Sequence, residues 1–222
     1  MPEGRPSIAW LSLGLAFVGG YEDAASFVLA GTFTGHITGA FVLAAISVAS
    51  HDWPTFSLRL MGIALFLAGI LLSTILEHFA ARAPSEVLLP WVMGTEIVLI
   101  LASYVALTSH VAIRIGLFVS CMSLAMGLQN GAWRSAGGIS VHTTYLTGMV
   151  TDLVTSAAER RRPADPKVSI LFSIWAAFVF GAGIGAAMVL RFEALGTLGA
   201  VPLLLAMMIC QAAAQRLNGW RQ

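Results

Sequence analysis

Six predominantly apolar stretches, at about 8–30, 55–81, 87–108, 112–134, 167–191 and 197–217, are each long enough to cross a bilayer as a helix; a crossing needs about 20 residues. In hydrocarbon every backbone N–H and C=O must be satisfied within the protein, and segments of this length do so only as α-helices. Composition agrees. Charged residues make up 10% of the 222-residue chain and hydrophobic residues 58%, where a soluble domain carries about 25% charge. The mean hydropathy is +0.84. The expected fold class is all-α, a polytopic membrane helical bundle.

Two further apolar stretches, 37–50 and 144–158, are too short to cross in the same way. They fall at matching places in a duplicated chain. Gly20-Tyr21-Glu22-Asp23-Ala24 returns as Gly127-Leu128-Gln129-Asn130-Gly131 at an offset of 107 residues, and Thr38-Gly39 returns as Thr147-Gly148 at an offset of 109. Each half then reads long, short, long, long. The expectation is one membrane domain over 1–222, with repeat 1 at about 8–108 and repeat 2 at about 112–217. It holds six long spanning helices and two shorter ones, broken or re-entrant. Duplicated halves with polar interruptions at matching positions are the sequence mark of a transport site.

Trp10, Trp53, Trp91, Trp133 and Trp220 lie near segment ends, where an aromatic belt meets the headgroups. The longest polar linker, 159–167, holds four of the twelve Lys and Arg residues. If all eight segments cross, nine basic residues fall on the side of both termini and three on the other. If the two short segments are re-entrant, Arg82 and Arg134 exchange sides with Arg59 and Arg114 and the count stays nine to three. The positive-inside rule therefore puts both termini in the cytoplasm either way, with a bacterial inner membrane as the expected location. Only Arg5 precedes the first apolar run, which continues past residue 18 without an A-x-A-like site, so no cleaved signal peptide is expected.

Polar groups inside apolar segments are the candidate functional residues. Glu22 and Asp23 are the only charges of the first segment. An ionised carboxylate at mid-bilayer costs about 2.5–3.5 kcal/mol even on the lenient insertion scale, so the two cannot both face lipid. They read as proton or substrate ligands, or as a polar lock between helices. Gln129 and Asn130 keep the hydrogen-bonding capacity of that pair without its charge. Arg134, one turn beyond Asn130, could neutralise a carboxylate, bind an anion or reach the headgroups. Around the breaks the candidates are His36, Thr38 and Gly39 in the first copy and Thr144, Thr147 and Gly148 in the second, with His142 near the latter in sequence, and the hydroxyls of Thr38 and Thr147 are expected to point to a shared cavity. A helix that starts inside the membrane aims free N–H groups and a positive dipole end at a ligand. Asp152, one turn past Gly148, would add a second ionisable group. Glu96, one turn into the fourth segment, reads as an interfacial cap residue.

Other chemistries find little support. The five histidines show no metal-ligand spacing, and no nucleophile–base pair is recognisable. No enzymatic activity, cofactor or metal is expected. Cys121 and Cys210 lie in apolar segments as small hydrophobes. The net charge of +1 suggests no nucleic-acid partner. Gly181 and Gly185 form a G-x-x-x-G face for close helix packing.

At Gly20-Tyr21-Glu22-Asp23-Ala24, Thr38-Gly39, Gly127-Leu128-Gln129-Asn130-Gly131 and Thr144-Tyr145-Leu146-Thr147-Gly148, the chain resembles the YoaK-type family of bacterial integral membrane proteins. The resemblance covers nearly the whole chain and implies a helical membrane fold without specifying an activity. Ala40 stands where that family pattern has Asn. The functional expectation is a membrane transporter or channel for a small polar or anionic solute, with proton coupling through Glu22 or Asp23. The expected partners are the lipid bilayer and that solute, and a homodimer is the expected assembly. The competing expectation is a scaffold or sensor whose polar residues only lock helices together.

Overall fold

The computed structural model describes residues 6–79, 85–132, 148, 150, 151, 154, 155, 158 and 166–219. The elements are α1 (Pro6–Ala30), α2 (Ile37–Ala49), α3 (Trp53–Phe79), α4 (Ser85–Thr108), α5 (Arg114–Ala132), α6 (Pro166–Phe192), a 3₁₀ segment η1 (Glu193–Ala200) and α7 (Val201–Gly219). Among the described residues there is no strand. Five stretches are long and apolar enough to cross a membrane, and one of them, the run Ser169–Ala213, takes in both α6 and α7, the two helices expected at 167–191 and 197–217. Glu193, at φ 52°, marks the change of helix type within that run. The short second segment is α2, 13 residues long. Of the short sixth segment, Gly148, Val150, Thr151, Val154, Thr155 and Ala158 are helical, and its other residues lie outside the described set.

Large apolar side chains stand on the outside of the bundle, among them Phe41 and Val42 on α2, Leu71 on α3, Val98 and Val105 on α4, and Phe180 and Leu190 on α6. That surface suits lipid as solvent. The interior is closed by side chains of α1, α4, α5 and α7, including Leu15, Tyr21, Met93, Ile100, Phe118, Met122 and Leu204.

Small residues let two helix pairs touch backbone to backbone. A Cβ added at Gly20 would collide with the Phe178 carbonyl, and one at Gly181 with the Phe17 carbonyl, so α1 and α6 are in direct contact. A Cβ at Gly127 would collide with the Phe66 carbonyl, and one at Gly69 would lie 2.6 Å from the Leu124 carbonyl oxygen, so α3 and α5 are too. These contacts correspond in sequence. Gly20 and Phe17 lie 107 residues before Gly127 and Leu124, and Phe66 and Gly69 lie 112 before Phe178 and Gly181. The first long helix of each half thus packs on the second long helix of the other half.

The helix directions follow from paired contacts. Gly181 meets Phe17 and Gly185 meets Tyr21, four residues on in both helices, so α1 and α6 run the same way. Gly127 meets Phe66 and Gly131 meets Ile70, so α3 and α5 also run the same way. Along α1, the Leu15 carbonyl receives Gln129 of α5, whereas the Gly31 carbonyl just past α1 receives Arg59, near the start of α3. Since Phe66 of α3 lies level with Gly127, α1 runs against α3 and α5.

The chain then doubles back. Gly31 ends α1 in the left-handed conformation, φ 64°, which glycine adopts without a Cβ clash. Within four residues the backbone returns to Gly35, where an added Cβ would sit 3.4 Å from Met126 of α5 and 3.6 Å from Asp23 of α1. Ala40 and Ala44 of α2 form a buried cluster with Ile63 of α3, and Leu43 and Ser47 meet Arg59. So α2 starts beside the middle of α3 and climbs antiparallel to it. It ends in a tight turn where Asp52 caps α3, its carboxylate accepting the Thr55 N–H at 3.2 Å. Hydrogen bonding by Thr55 holds the Asp52 carboxyl below the usual carboxylate range.

Close backbone contact makes a sharp prediction. Replacing Gly127 by Ala forces α3 and α5 apart and lowers stability by about 1–3 kcal/mol. Gly183, which has nothing within 4 Å of its added Cβ, tolerates Ala without loss. Thermal unfolding of both variants in the same lipid nanodiscs checks it; equal effects would contradict the packing.

Candidate functional site

The break between α1 and α2 is built around one carboxylate. Oδ1 of Asp23 accepts the backbone N–H of Thr34 at 2.9 Å and of Gly35 at 2.8 Å. These N–H groups belong to non-helical backbone deep in the bundle, where an unsatisfied donor is costly. The Thr34 hydroxyl donates to Ser26 Oγ at 3.0 Å. His36 contributes to the electrostatic environment of Asp23, and its ring meets Phe33 edge-on, which in turn stacks on Phe27. Thr32 and Thr34 are the buried hydroxyls here. Thr38, expected to face the interior, stands on the exposed side of α2, with Gly39 partly buried beside it.

Arg59 closes the other side of the break. Its Nη1 donates to the Leu43 carbonyl and to Ser47 Oγ, each at 2.6 Å, and its Nη2 to the Gly31 carbonyl at 3.0 Å. One guanidinium fork thus ties the end of α1 to α2, a geometry that suits Arg and not Lys. The sequence signal was present, a cation between Leu58 and Leu60 inside an apolar segment, but nothing in the spacing showed which carbonyls it meets.

Glu22 and Glu96 have a different character. Both are fully buried, and all four of their carboxylate oxygens lack a hydrogen-bond partner. Glu96 lies within electrostatic range of Glu22. The reading of Glu96 as an interfacial cap is corrected: α4 starts at Ser85, so Glu96 falls at its middle. The neighbouring Tyr21 is fixed, its hydroxyl donating to the Gly196 carbonyl of η1. Sequence reasoning passed over Tyr21 because an apolar context gives a tyrosine no distinguishing mark.

In the second half, Gln129 Nε2 donates to the Leu15 carbonyl at 2.9 Å, while its Oε1 is buried without a partner. Asn130 Nδ2 donates to the Met126 carbonyl of its own helix at 3.2 Å. Gln129 therefore links α5 to α1. Gly148 is helical and partly buried. Arg134, Thr144, Thr147 and Asp152 lie outside the described residues, as does His142. Among the described residues, no three of His, Cys, Asp and Glu gather as metal ligands.

A family model described as "Protein of unknown function (DUF1275)" matches residues 11–210. The chain belongs to the DUF1275 family. The match runs from within α1 to the middle of α7, and takes in both the break and the two buried glutamates. No curated protein and no solved structure matches this DUF1275 chain. The YoaK-type resemblance is consistent with this membership.

The Asp23 cap predicts graded effects. Asp23→Ala leaves two buried N–H groups without an acceptor and costs about 2–4 kcal/mol, whereas Asp23→Asn keeps an acceptor oxygen and costs clearly less. Thermal unfolding of the two variants separates them. Equal losses would show that charge, not the backbone cap, is what the break requires.

Proposed function

We propose that this chain is a membrane transporter for a small polar or anionic solute, built from two inverted halves, with proton coupling. The observation that carries this reading is the buried break at 31–36. There backbone N–H groups and the hydroxyls of Thr32 and Thr34 stand beside mid-α3 and mid-α5, and α2 starts with its N-terminus directed into the bundle. Irregular backbone at that depth is tolerated only when packed in protein or lining a cavity, and the start of a half-helix favours an anionic group.

The opposed directions of α1 and α5, with the matched glycine contacts, support a duplicated chain whose halves are related by inversion. In this reading α2 is re-entrant and six helices cross. In the sequence, Thr147-Gly148 is the counterpart of Thr38-Gly39, and Arg134, Thr144 and Asp152 accompany it. The charge distribution supports cytoplasmic termini, the family resemblance supports a bacterial inner membrane, and a homodimer is compatible with this arrangement. No catalysis or cofactor is assigned.

A scaffold or sensor is the second reading. The observation favouring it is that Asp23 and Gln129 already serve internal hydrogen bonds.

Purified protein in lipid nanodiscs, screened by thermal shift against small anions and polar metabolites at two pH values, tests the proposal. A transported solute at about 100 times its Kd stabilises by about 2.7 kcal/mol. Absence of any stabilising solute at either pH would favour the scaffold.

A further inference from the structure

Glu22 and Glu96 are not explained by holding the fold together. A carboxylate that locks helices does so by accepting hydrogen bonds or pairing with a cation, as Asp23 does at the break. These two accept none, although both are fully buried. They come from different helices, α1 and α4, and both helices pack on α5. On α5, Gln129 Oε1 is a further buried acceptor without a partner. Neither carboxyl thus meets a donor. Added protons are what such a set lacks.

No described cation supplies the missing charge. On α1, Tyr21 is bound to Gly196 and Asp23 to the break. On α3, Arg59 holds Leu43, Ser47 and Gly31 through Nη1 and Nη2, with its Nε buried and without a hydrogen-bond partner, and Glu77 and His78 have interactions of their own. On α4, Tyr104 is partly buried; on α5, Arg114 is exposed and Cys121 partly buried. At the α6–η1 junction Arg191 and Glu193 are exposed, Arg191 lying over the Phe192 ring. Cys210 of α7 is exposed. Two bare like charges within range of each other in a dry interior are not sustainable.

Resting on the transport reading, we propose that Glu22 and Glu96 form one proton-binding site, the point at which protons couple to solute movement. Its place on α1 explains the coupling. Adjacent residues on a helix point about 100° apart, so Asp23 addresses the break while Glu22 points to another face of α1, within electrostatic range of Glu96. A change of charge at Glu22 and a change of packing at the break act on the same turn of helix.

Labelling with dicyclohexylcarbodiimide, which attacks protonated carboxyls in apolar surroundings, tests this on the full chain in nanodiscs with peptide mass spectrometry. Glu22 or Glu96 should acquire the acylurea adduct faster than the exposed Asp52 and Glu193, and labelling should fall as pH rises. In Glu96→Gln the pH of half-labelling at Glu22 should move by about one unit or more toward lower pH, the size at which two sites count as coupled. No adduct at any pH, or an unmoved half-labelling pH, would overturn the proposal. So would protection by sodium at fixed pH, which would make the pair a metal-cation site. If the variant does not fold, the wild-type infrared spectrum decides: a pH-titrating C=O band of a buried protonated carboxyl is required, and its absence contradicts the site. None of these readouts involves a solute, so the proton site and solute binding can fail separately.

Discussion

Direct backbone contact between α1 and α6, and between α3 and α5, is the constraint on which the rest depends. In lipid there is no hydrophobic force to press helices together, so close packing through small residues must do it. Gly20 and Gly181 provide this in one pair, Gly69 and Gly127 in the other. Each pair joins helices from different halves of the sequence, so neither half closes a core of its own. Register follows too: with Phe66 fixed level with Gly127, the break at 31–36 is held beside the middle of α3, where ordinary loops do not occur.

The two adjacent acids of α1 divide two tasks. Asp23 commits an oxygen to the N–H groups of Thr34 and Gly35 and so stabilises a buried turn. Glu22 makes no such bond and stands within range of Glu96. A helix face that satisfies backbone lies next to one that leaves charge unresolved. A protein that only needed rigidity would have little use for the second, since apolar residues of similar volume commonly do as well as buried ions.

Much of the fold was legible because a bilayer leaves few options. Stretches of apolar residues had to be helices, and α2 was bounded to within a residue at 37–49. The Thr-Gly repeat located the break. What the sequence could not carry was partnership over distance. Asp23 meets residues 11 and 12 positions away and Arg59 meets Gly31, pairings set by a chain reversal that no periodicity encodes. Glu96 was misjudged because the apolar run begins later than the helix does; Ser85 and Glu86 belong to α4 yet look like loop. Thr38 was credited with an inward hydroxyl, but the face of α2 that packs on α3 is set by Ala40 and Ala44, which leaves Thr38 outside.

Opposed directions of α1 and α5 are the central claim, and sidedness tests it most directly. With Cys121 and Cys210 replaced, single cysteines at His110, between α4 and α5, and at Asn218, near the end of α7, can be labelled with a membrane-impermeant maleimide in oriented vesicles. An inverted arrangement with re-entrant short helices places the two positions on opposite sides of the membrane. Labelling of both from the same side would mean that the short helices cross and that the halves are parallel, which contradicts opposed directions of α1 and α5.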